Sequence, residues 1–150
     1  MKQTLIILAA ILTLAACKST DKKVIPPGQM TKEDMAKAAN DSANFTSIEW
    51  IDSSTRSLGK LKKDETIEVS FRFKNSGDKN LVIEKVTAQC GCTIPEQPTQ
   101  AYGPGEEGVI KAKFNGSGSG IISKQVYVTA NTKPAKDHTL TFTGEIIENK

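Results

Sequence analysis

The sequence has little of what most enzyme active sites are built from. Its 150 residues include one histidine, three cysteines, one tryptophan, two tyrosines and five phenylalanines. The single histidine, His138, stands in a polar stretch, and we expect it to be a solvated turn residue. A catalytic triad of serine, histidine and aspartate therefore has no basis here. We predict that the protein is not an enzyme and that it needs no cofactor.

Concentrated charge and long internal hydrophobic runs are missing as well. Lysine and arginine number 20 against 17 aspartates and glutamates, a formal net charge of +3, and both signs are mixed along the chain. A nucleic-acid partner, which needs a basic stripe, is therefore not expected. After residue 16 no apolar run approaches the roughly 20 residues of a transmembrane helix, so we expect any membrane anchor to be a lipid.

The one long apolar run lies at the start of the chain and predicts export. Met1 and Lys2 form a short basic region, residues 5–14 are almost all apolar, and small residues precede Cys17. This order is typical of a signal peptide, here residues 1–16. Ten helical residues span only about 15 Å, which is too short to cross a bilayer permanently.

The sequence Leu14-Ala15-Ala16-Cys17 resembles the lipobox of bacterial lipoproteins. The resemblance implies that Cys17 carries lipid, such as palmitate, and becomes the first residue of the mature protein; an ordinary secretory cleavage is the alternative. Lys18 follows where an aspartate would resemble an inner-membrane retention signal. We therefore expect a lipid-anchored protein of a Gram-negative cell envelope, sorted to the outer membrane.

Residues 17–45 are predicted to form a flexible tether between the lipid and a folded domain. The segment 18–43 is polar and without aromatic residues, so it buries too little apolar surface to fold alone. Thr31 is a candidate helix N-cap, but the helix that follows is short enough to be marginal in water. Ser42 lies in a tripeptide, Asp-Ser-Ala, that resembles a short O-glycosylation signal; an unmodified linker is the alternative.

From residue 46 onward apolar residues alternate with polar ones. Ile67, Val69, Phe71 and Phe73 are separated by single polar residues, which is the period of a strand buried on one face. Strands are predicted in this way at 46–51, 57–61, 67–74, 81–88, 110–114, 122–128 and 140–146. Short strands between glycine and proline turns predict an all-β protein, an antiparallel Ig-like β-sandwich of about seven strands over residues 46–150.

Three irregularities are predicted within this pattern. Gly77 supplies a positive φ to the turn after the third strand. The apolar phase slips between Ile83 and Val86, which indicates either a β-bulge or a strand that changes sheets. The glycines and serines of residues 115–120 predict a flexible reversal between two strands.

The β segments also carry a family resemblance. The motifs are, in order, Phe71-x-Phe73-x-Asn75-x-Gly77, Cys90-Gly91-Cys92-Thr93 and Pro104-Gly105. They resemble a bacterial Ig-like domain of unknown function that is common on envelope lipoproteins and similar to major-sperm-protein and Hydin-type sandwiches. The resemblance covers residues 46–147. It implies the fold and the location, and it brings no known activity.

Cys90 and Cys92 are the residues with the richest chemistry, and three alternatives are open for them. One is a disulfide spanning Gly91, which either pins the loop or, as a small strained ring, is easily reduced. Another is redox exchange with partner thiols, although the sequence has no Cys-x-x-Cys and no neighbouring histidine. The third is a soft metal such as Cu(I) or Zn, for which two thiolates fall short of the usual four ligands.

We expect the domain to act as an interaction or structural module. Residues 90–98, which include Gly91, Thr93 and Pro95, and residues 115–120 are irregular and rich in glycine and proline. Sandwiches of this kind bind through loops or by adding a partner strand at an open edge. The expected partner is an unknown protein or glycan of the envelope; the alternative function is thiol-redox or Cu/Zn handling by the cysteine pair.

Overall fold

The computed structural model describes residues 25–148. The predicted signal peptide and Cys17 lie outside the described residues. One helix, α1 (Lys32–Asn40), lies between two short 3₁₀ turns, Pro27–Gln29 and Ser42–Asn44. Nine strands follow: β1 Ile48–Trp50, β2 Thr55–Lys62, β3 Ile67–Asn75, β4 Leu81–Ala88, β5 Thr93–Pro95, β6 Ala101–Tyr102, β7 Glu107–Phe114, β8 Gly120–Ala130 and β9 Asp137–Ile147.

The strands form two sheets that pack face to face. One sheet has the order β1-β3-β7-β5, and the other has the order β2-β9-β8-β4-β6. Successive side chains of a strand point to opposite faces. The apolar side chains of each alternating strand therefore lie between the two sheets, and the polar ones face outward. Phe71, Phe73, Phe114 and Phe142 are fully buried there, and the last two rings meet edge to face at 5.6 Å. The predicted all-β, Ig-like sandwich is confirmed.

One strand pairing departs from the expected antiparallel pattern. β2 runs parallel to β9, with Thr55 beside Thr141 and Leu61 beside Ile146. Alternation shows which face of a strand is buried, but it carries no information on the direction of the neighbouring strand. The strand predicted at 57–61 is also longer than expected, since β2 has eight residues.

The bulge predicted in β4 is confirmed, and a distant side chain completes it. The register against β8 shifts between Ile83 and Lys85. The Gln97 amide fills the gap: it donates to Ile83 O at 3.0 Å, and its oxygen accepts from Val86 N at 2.8 Å. The backbone groups freed by the bulge therefore keep hydrogen-bond partners.

Two turns require glycine for different reasons. Gly77 does not adopt the predicted positive φ; instead, an added Cβ would collide with the Thr46 hydroxyl and the Ser47 backbone nitrogen. This glycine therefore permits a close approach of two chain segments. Gly116 does have a left-handed backbone, with φ at +75°, a conformation that glycine adopts at little cost. The reversal predicted at this second turn is confirmed.

Helix α1 begins where the sequence predicts it. Thr31 is its N-cap: the hydroxyl accepts a hydrogen bond from Asp34 N at 3.2 Å, and the Asp34 carboxylate accepts one from Thr31 N at 3.0 Å. This capping box satisfies two free N–H groups, and the hydrogen bonds from Thr31 hold the pKa of Asp34 below its usual value. No helix within residues 25–148 has the length and apolar character needed to cross a membrane.

The segment around α1 packs on the sandwich, although its composition predicts a free tether. Ala38 is buried with Val82 and Ala101, and Met30 and Met35 pack around them. Small and flexible apolar side chains form this second, smaller core, so aromatic residues are not needed for it. The predicted free tether is therefore wrong for residues 25–45, and its first part, residues 17–24, lies outside the described residues.

Buried asparagines hold together the end of the sandwich on which this segment docks, which we call the asparagine end. Asn131 is fully buried; its side chain accepts from Val82 N at 2.7 Å and donates to Asn44 O and Asn80 O, both at 2.9 Å. Asn75 is also fully buried and donates to the turn that follows β3. These amides replace backbone pairing where the strands end.

Lys136 fixes the C-terminal end of α1 to the same region. Its Nζ donates to Ala39 O at 3.0 Å and pairs with the Glu84 carboxylate at 2.8 Å. The ammonium also lies 5.5 Å from the centre of the Phe45 ring. A cation at the last turn complements the helix dipole, so the docked segment is held by charge as well as by apolar contact.

Candidate functional site at the cysteine end

Three connections meet at the end of the sandwich opposite the asparagine end, which we call the cysteine end. They are the turn 63–66 between β2 and β3, the loop 89–92 between β4 and β5, and the turn 115–119 between β7 and β8. Asn115 N donates to Cys92 O at 3.0 Å, and Asp64 N donates to Gly116 O at 3.1 Å. The two regions predicted as contact surfaces are therefore neighbours in the structure.

Cys90 and Cys92 form a disulfide, with their Cα atoms 5.3 Å apart. Thr93 N donates to Cys90 O at 3.2 Å and closes a turn around Gly91. The chain leaves the five-stranded sheet at the end of β4 and enters the four-stranded sheet at β5. The bond therefore spans one residue but lies where the chain crosses between the two layers. Of the three alternatives for this pair, the structure contains the disulfide.

The loop has an anchored side and an open side. Cys92 packs against the main core and Thr93 is buried, whereas Cys90 is half-buried and Gly91 is exposed. An added Cβ at Gly91 would meet no atom within 4 Å, and its φ lies outside the left-handed region. The structure therefore gives no steric reason for a glycine between the cysteines.

The disulfide leaves no thiolate for a metal ion, because both sulfurs are bonded to each other. Within residues 25–148 no group of three or more histidine, cysteine, aspartate or glutamate side chains is arranged to hold a metal. The soft-metal alternative would therefore require the reduced pair. The redox alternative stays a prediction, supported by the partial exposure of Cys90.

Two exposed isoleucines flank the cysteine end on opposite outer faces. Ile94 lies beside Lys113 on one sheet and is 67% exposed, and Ile121 lies beside Glu145 on the other sheet and is 88% exposed. Neither was predicted. A signal for Ile121 was present in the sequence, because it directly precedes another isoleucine and neighbouring residues of a strand face opposite sides.

The edge at β5 is closed to strand addition by its own sequence. β5 is the outer strand of the four-stranded sheet, and Pro95 has no N–H to donate to a further strand. A proline on an edge strand is one of the ways in which proteins prevent sheet extension. Binding at this end is therefore expected to use side chains and loops.

Lys124 is the cation that the strand register brings towards the cysteine loop. Gln89 N donates to Gln125 O at 3.0 Å and so extends the β4–β8 ladder up to the loop, one position from Lys124. The Lys124 ammonium lies 5.9 Å from the centre of the buried Phe114 ring. The aliphatic part of the Lys124 side chain therefore covers the core at this end. Lys85, the lysine nearest to the cysteine pair in sequence, is exposed.

His138 is not the solvated turn residue that the sequence predicts. It lies in β9 at the asparagine end, half-buried, with Nε2 2.7 Å from the Thr132 hydroxyl and its ring 5.9 Å from that of Trp50. Burial lowers the pKa of His138. The prediction was wrong because the polarity of the neighbouring residues does not show that Thr132 and Trp50 lie against the imidazole.

A groove of about 560 Å³ follows the seam between α1 and β4. Met35, Ala39 and Val82 line its floor, and Gln97 and Pro98 form part of its wall. The last residues of the predicted contact loop 90–98 therefore reach away from the cysteine end and close this seam. The groove belongs to the joint between the docked segment and the sandwich.

The sequence of residues 48–146 matches a family described as a protein of unknown function, DUF1573. The chain belongs to the DUF1573 family. The matching region begins with β1 and ends within β9, so it includes both sheets and the cysteine end, while α1 lies outside it. No curated protein matches this DUF1573 chain by sequence.

Solved structures share the fold of this DUF1573 chain. A protein of unknown function from Porphyromonas gingivalis W83 aligns with a TM-score of 0.61 at 18% identity, covering 71% of this chain and 50% of that one. The VesB protease of Vibrio cholerae aligns at 0.53 and 11% identity, covering 75% and 35%. The ASH/PapD-like domain 7 of human CEP192 aligns at 0.48 and 15% identity, covering 81% and 93%.

The two alignments with TM-scores above 0.5 show a shared fold, and at these identities they show nothing about activity. The DUF1573 chain spans about half the length of the Porphyromonas protein and about a third of the protease. The similarity to VesB therefore covers only part of that protein, and the presence of a protease among the neighbours does not make this chain a hydrolase.

Proposed function

We propose that this DUF1573 protein is a lipid-anchored, non-enzymatic protein of the bacterial cell envelope whose Ig-like domain is an interaction or structural module. The apolar segment 5–14 and the Leu-Ala-Ala-Cys sequence ending at Cys17 support export and lipidation. The proposed location is the outer membrane of a Gram-negative bacterium. The proposed partner is a protein or glycan of that envelope.

The observation that carries this proposal is the position of the two ends relative to the anchor. Asn80 Nδ2 donates to Ile25 O at 2.7 Å, so the chain reaches the sandwich at the asparagine end. Cys17 precedes Ile25 by eight residues, which span at most about 29 Å when extended. A lipid on Cys17 would hold the asparagine end near the membrane and present the cysteine end away from it.

The proposed contact surface consists of residues 90–94, the part of the predicted loop 90–98 that lies at the cysteine end, and the turn 115–120. Most of the turn is exposed, as are Gly91 and Ile94 of the loop, and Ile121 adds apolar area at the rim. The disulfide fixes the first segment, and the hydrogen bond from Asn115 N to Cys92 O joins it to the second before any partner arrives. Such preorganisation lowers the entropic cost of binding.

The intact mass of protein purified from membranes tests the anchor. We expect the loss of residues 1–16 and a mass increment of acyl size on Cys17. The variant Cys17→Ser, which lacks the acceptor thiol, should lose both the increment and the membrane association. An unmodified Cys17 at the mature N-terminus would show ordinary secretory cleavage and contradict the anchor.

Alkylation tests the cysteine loop and separates the two proposed roles. Because of the disulfide, Cys90 and Cys92 should react with iodoacetamide only after reduction. The double variant Cys90→Ser/Cys92→Ser should weaken partner capture if the closed loop is the contact surface; unchanged capture would remove this loop from the proposal. If the pair instead exchanges thiols, blocking the partner's thiols with N-ethylmaleimide should abolish capture by the unchanged protein.

A further inference from the structure

Residues 25–45, which we call the clasp, are attached to the sandwich by side chains. Side chains of the sandwich donate hydrogen bonds to backbone carbonyls of the clasp: Asn80 to Ile25 O at 2.7 Å, Asn131 to Asn44 O at 2.9 Å and Lys136 to Ala39 O at 3.0 Å. Within residues 25–148, no backbone hydrogen bond joins the clasp to a strand. The clasp therefore lacks the backbone ladders that hold the two sheets together.

The apolar contact beneath the clasp is small. Ala38 and Ala39 are the buried residues of α1, and burying an alanine removes little apolar surface from water. Met30 and Met35 add half-buried side chains around them. A groove of about 560 Å³ remains open along the seam between α1 and β4, so this joint is less closely packed than a protein interior.

A buried polar atom at this joint has no partner. Asn80 Oδ1 is buried and makes no hydrogen bond within residues 25–148, although the amide nitrogen of the same side chain binds Ile25 O and contacts Met30 Sδ. A buried polar atom without a hydrogen bond costs free energy that water would restore. Undocking of the clasp removes Ile25 and Met30 from this amide, so water can then reach it.

The main core of the sandwich is formed without the clasp. Its side chains come from strands of the two sheets, and the family match begins at residue 48. The backbone is fixed from Thr46 onward, because Thr46 is buried and its N–H donates to Asn131 O at 3.0 Å. When the clasp undocks, Asn131 keeps its hydrogen bonds with Val82 N and Asn80 O. Undocking therefore has a defined hinge between residues 45 and 46.

We propose that the clasp undocks as a unit while both sheets stay folded, and that its docking determines how far the domain can move from the membrane. Helix α1 has nine residues, which is too short to persist in water by itself. Undocking and unfolding of the helix therefore occur together. This coupling makes the clasp a local folding unit that is less stable than the sandwich.

The effect on reach rests on the proposed lipid at Cys17. With the clasp docked, eight residues separate Cys17 from Ile25, and they span at most about 29 Å. With the clasp undocked, the first fixed residue is Thr46, 29 positions after Cys17, and the span is at most about 100 Å. Undocking thus raises the maximum length of the tether more than threefold.

Hydrogen exchange, measured by mass spectrometry on the full protein purified from membranes in detergent, tests the undocking. Amides of α1 should have protection factors at least about a hundredfold lower than those of the β8–β9 ladder, because α1 exchanges by undocking and the ladder by global unfolding. Ala38→Asp buries a carboxylate against Val82 and Ala101 and should remove the protection of α1, while the ladder stays protected. Ala36→Asp makes the same change at an exposed position of the helix and should lower the protection of α1 by no more than about threefold.

Energy transfer from Trp50 to dansyl-labelled lipid tests the effect on reach. Trp50 is the single tryptophan of the chain, and its ring lies 5.9 Å from that of His138 at the asparagine end, which the proposed lipid holds near the membrane. In vesicles of phosphatidylethanolamine and phosphatidylglycerol, Ala38→Asp should transfer less energy than Ala36→Asp, which should match the unchanged protein. If no variant joins the vesicles, the proposed anchor is wrong, and hydrogen exchange still decides whether the clasp undocks.

Several outcomes would overturn the inference. Equal protection of α1 and the β8–β9 ladder would show that the clasp opens only when the whole domain unfolds. Loss of protection from the ladder as well as from α1 in Ala38→Asp would make the clasp an integral part of the fold. An unprotected α1 in the unchanged protein would contradict the docked state. Equal energy transfer from the two vesicle-bound variants would contradict the effect on reach.

Discussion

The asparagine end and the cysteine end of this sandwich are held together by different kinds of interaction. At the asparagine end, fully buried amides of Asn75 and Asn131 bind backbone groups of three separate segments. At the cysteine end, turns bind each other through backbone hydrogen bonds, and most of their side chains are exposed or half-exposed, although Cys92 packs against the core. Side-chain substitutions should therefore lower the free energy of unfolding strongly at the asparagine end and weakly at the cysteine end.

This difference indicates where the domain has freedom to evolve a binding surface. A buried amide must keep all of its partners, because an unsatisfied polar group in the interior costs far more than a hydrogen bond contributes. An exposed turn whose backbone is already paired carries no such constraint. The docked segment, from Ile25 onward, also lies at the asparagine end, so within the described residues it does not cover the cysteine end.

The largest expected effect comes from a matched pair of asparagine substitutions. Asn131→Ala leaves Val82 N and two backbone carbonyls without partners and should lower the free energy of unfolding by about 3 kcal/mol. Asn115→Ala removes one exposed hydrogen bond from Ser117 N and should cost less than about 1 kcal/mol. Urea denaturation measures the free energy of unfolding of both variants. Equal decreases would contradict the proposed difference between the two ends.

A pair of glycine substitutions sharpens the comparison within the cysteine end itself. Gly116→Ala forces a left-handed φ on alanine and brings its Cβ within 2.6 Å of Glu65 O, at a cost of about 2 kcal/mol. Gly91→Ala meets no neighbour and should change the free energy of unfolding by less than about 0.5 kcal/mol. If the two variants unfold at the same urea concentration, the turn 115–119 is looser than the structure shows.

The disulfide should contribute modestly to stability. It closes a loop of three residues, since Cys90 and Cys92 are separated by two positions, and a loop of that size contributes about 1.5 kcal/mol in the chain-entropy account. Cys90→Ser/Cys92→Ser should therefore keep the fold and lower the melting temperature by roughly 5 to 8 °C. Unfolding of this variant at room temperature would mean that the bond holds the two layers together.

The smallest expected effect is a pH dependence at the asparagine end. Burial lowers the pKa of His138, so the unfolded chain binds a proton at higher pH than the folded chain does. The stabilising contribution is complete above about pH 6.5 and is lost as the pH falls towards the lower folded value. The melting temperature should fall between about pH 7.5 and about pH 5, less so in His138→Gln.

Emission from Trp50 provides an independent readout of the same titration. Its ring lies 5.9 Å from that of His138, and a protonated imidazole quenches indole emission. The quenching should follow the pKa of His138 in the folded protein and be absent in His138→Gln. A flat emission profile in the unchanged protein would show that the imidazole does not titrate in this range.

Most of the sandwich could be predicted from the sequence, because burial on one face of a strand leaves a period of two. That period placed Phe71, Phe73, Phe114 and Phe142 in the core. The interruption of the period between Ile83 and Val86 indicated the bulge in β4. The same rule indicates nothing about strand direction, so the parallel pairing of β2 with β9 was not predicted. It also could not show that the cysteine tripeptide lies at a crossing between sheets.

The misses share a physical cause: each depends on contacts between residues far apart in sequence. The sequence predicts a positive φ at Gly77, but the glycine is needed because Thr46 packs against it. The sequence also predicts a solvated His138, but Thr132 and Trp50 contact the imidazole. The docking of α1 depends on Ala38 meeting strands β4 and β6. The local sequence pattern contains no information on contacts between residues that are distant in sequence.

Site-directed photo-crosslinking in living cells tests most directly the claim that the cysteine end is the working surface. A photoreactive phenylalanine analogue replaces Gly91 or Ser119 at the cysteine end or, as the matched control, the exposed Asp78 at the asparagine end. The account predicts one discrete crosslinked species from both positions at the cysteine end and none from the control. A species formed from the position of Asp78 and absent from the other two would contradict it.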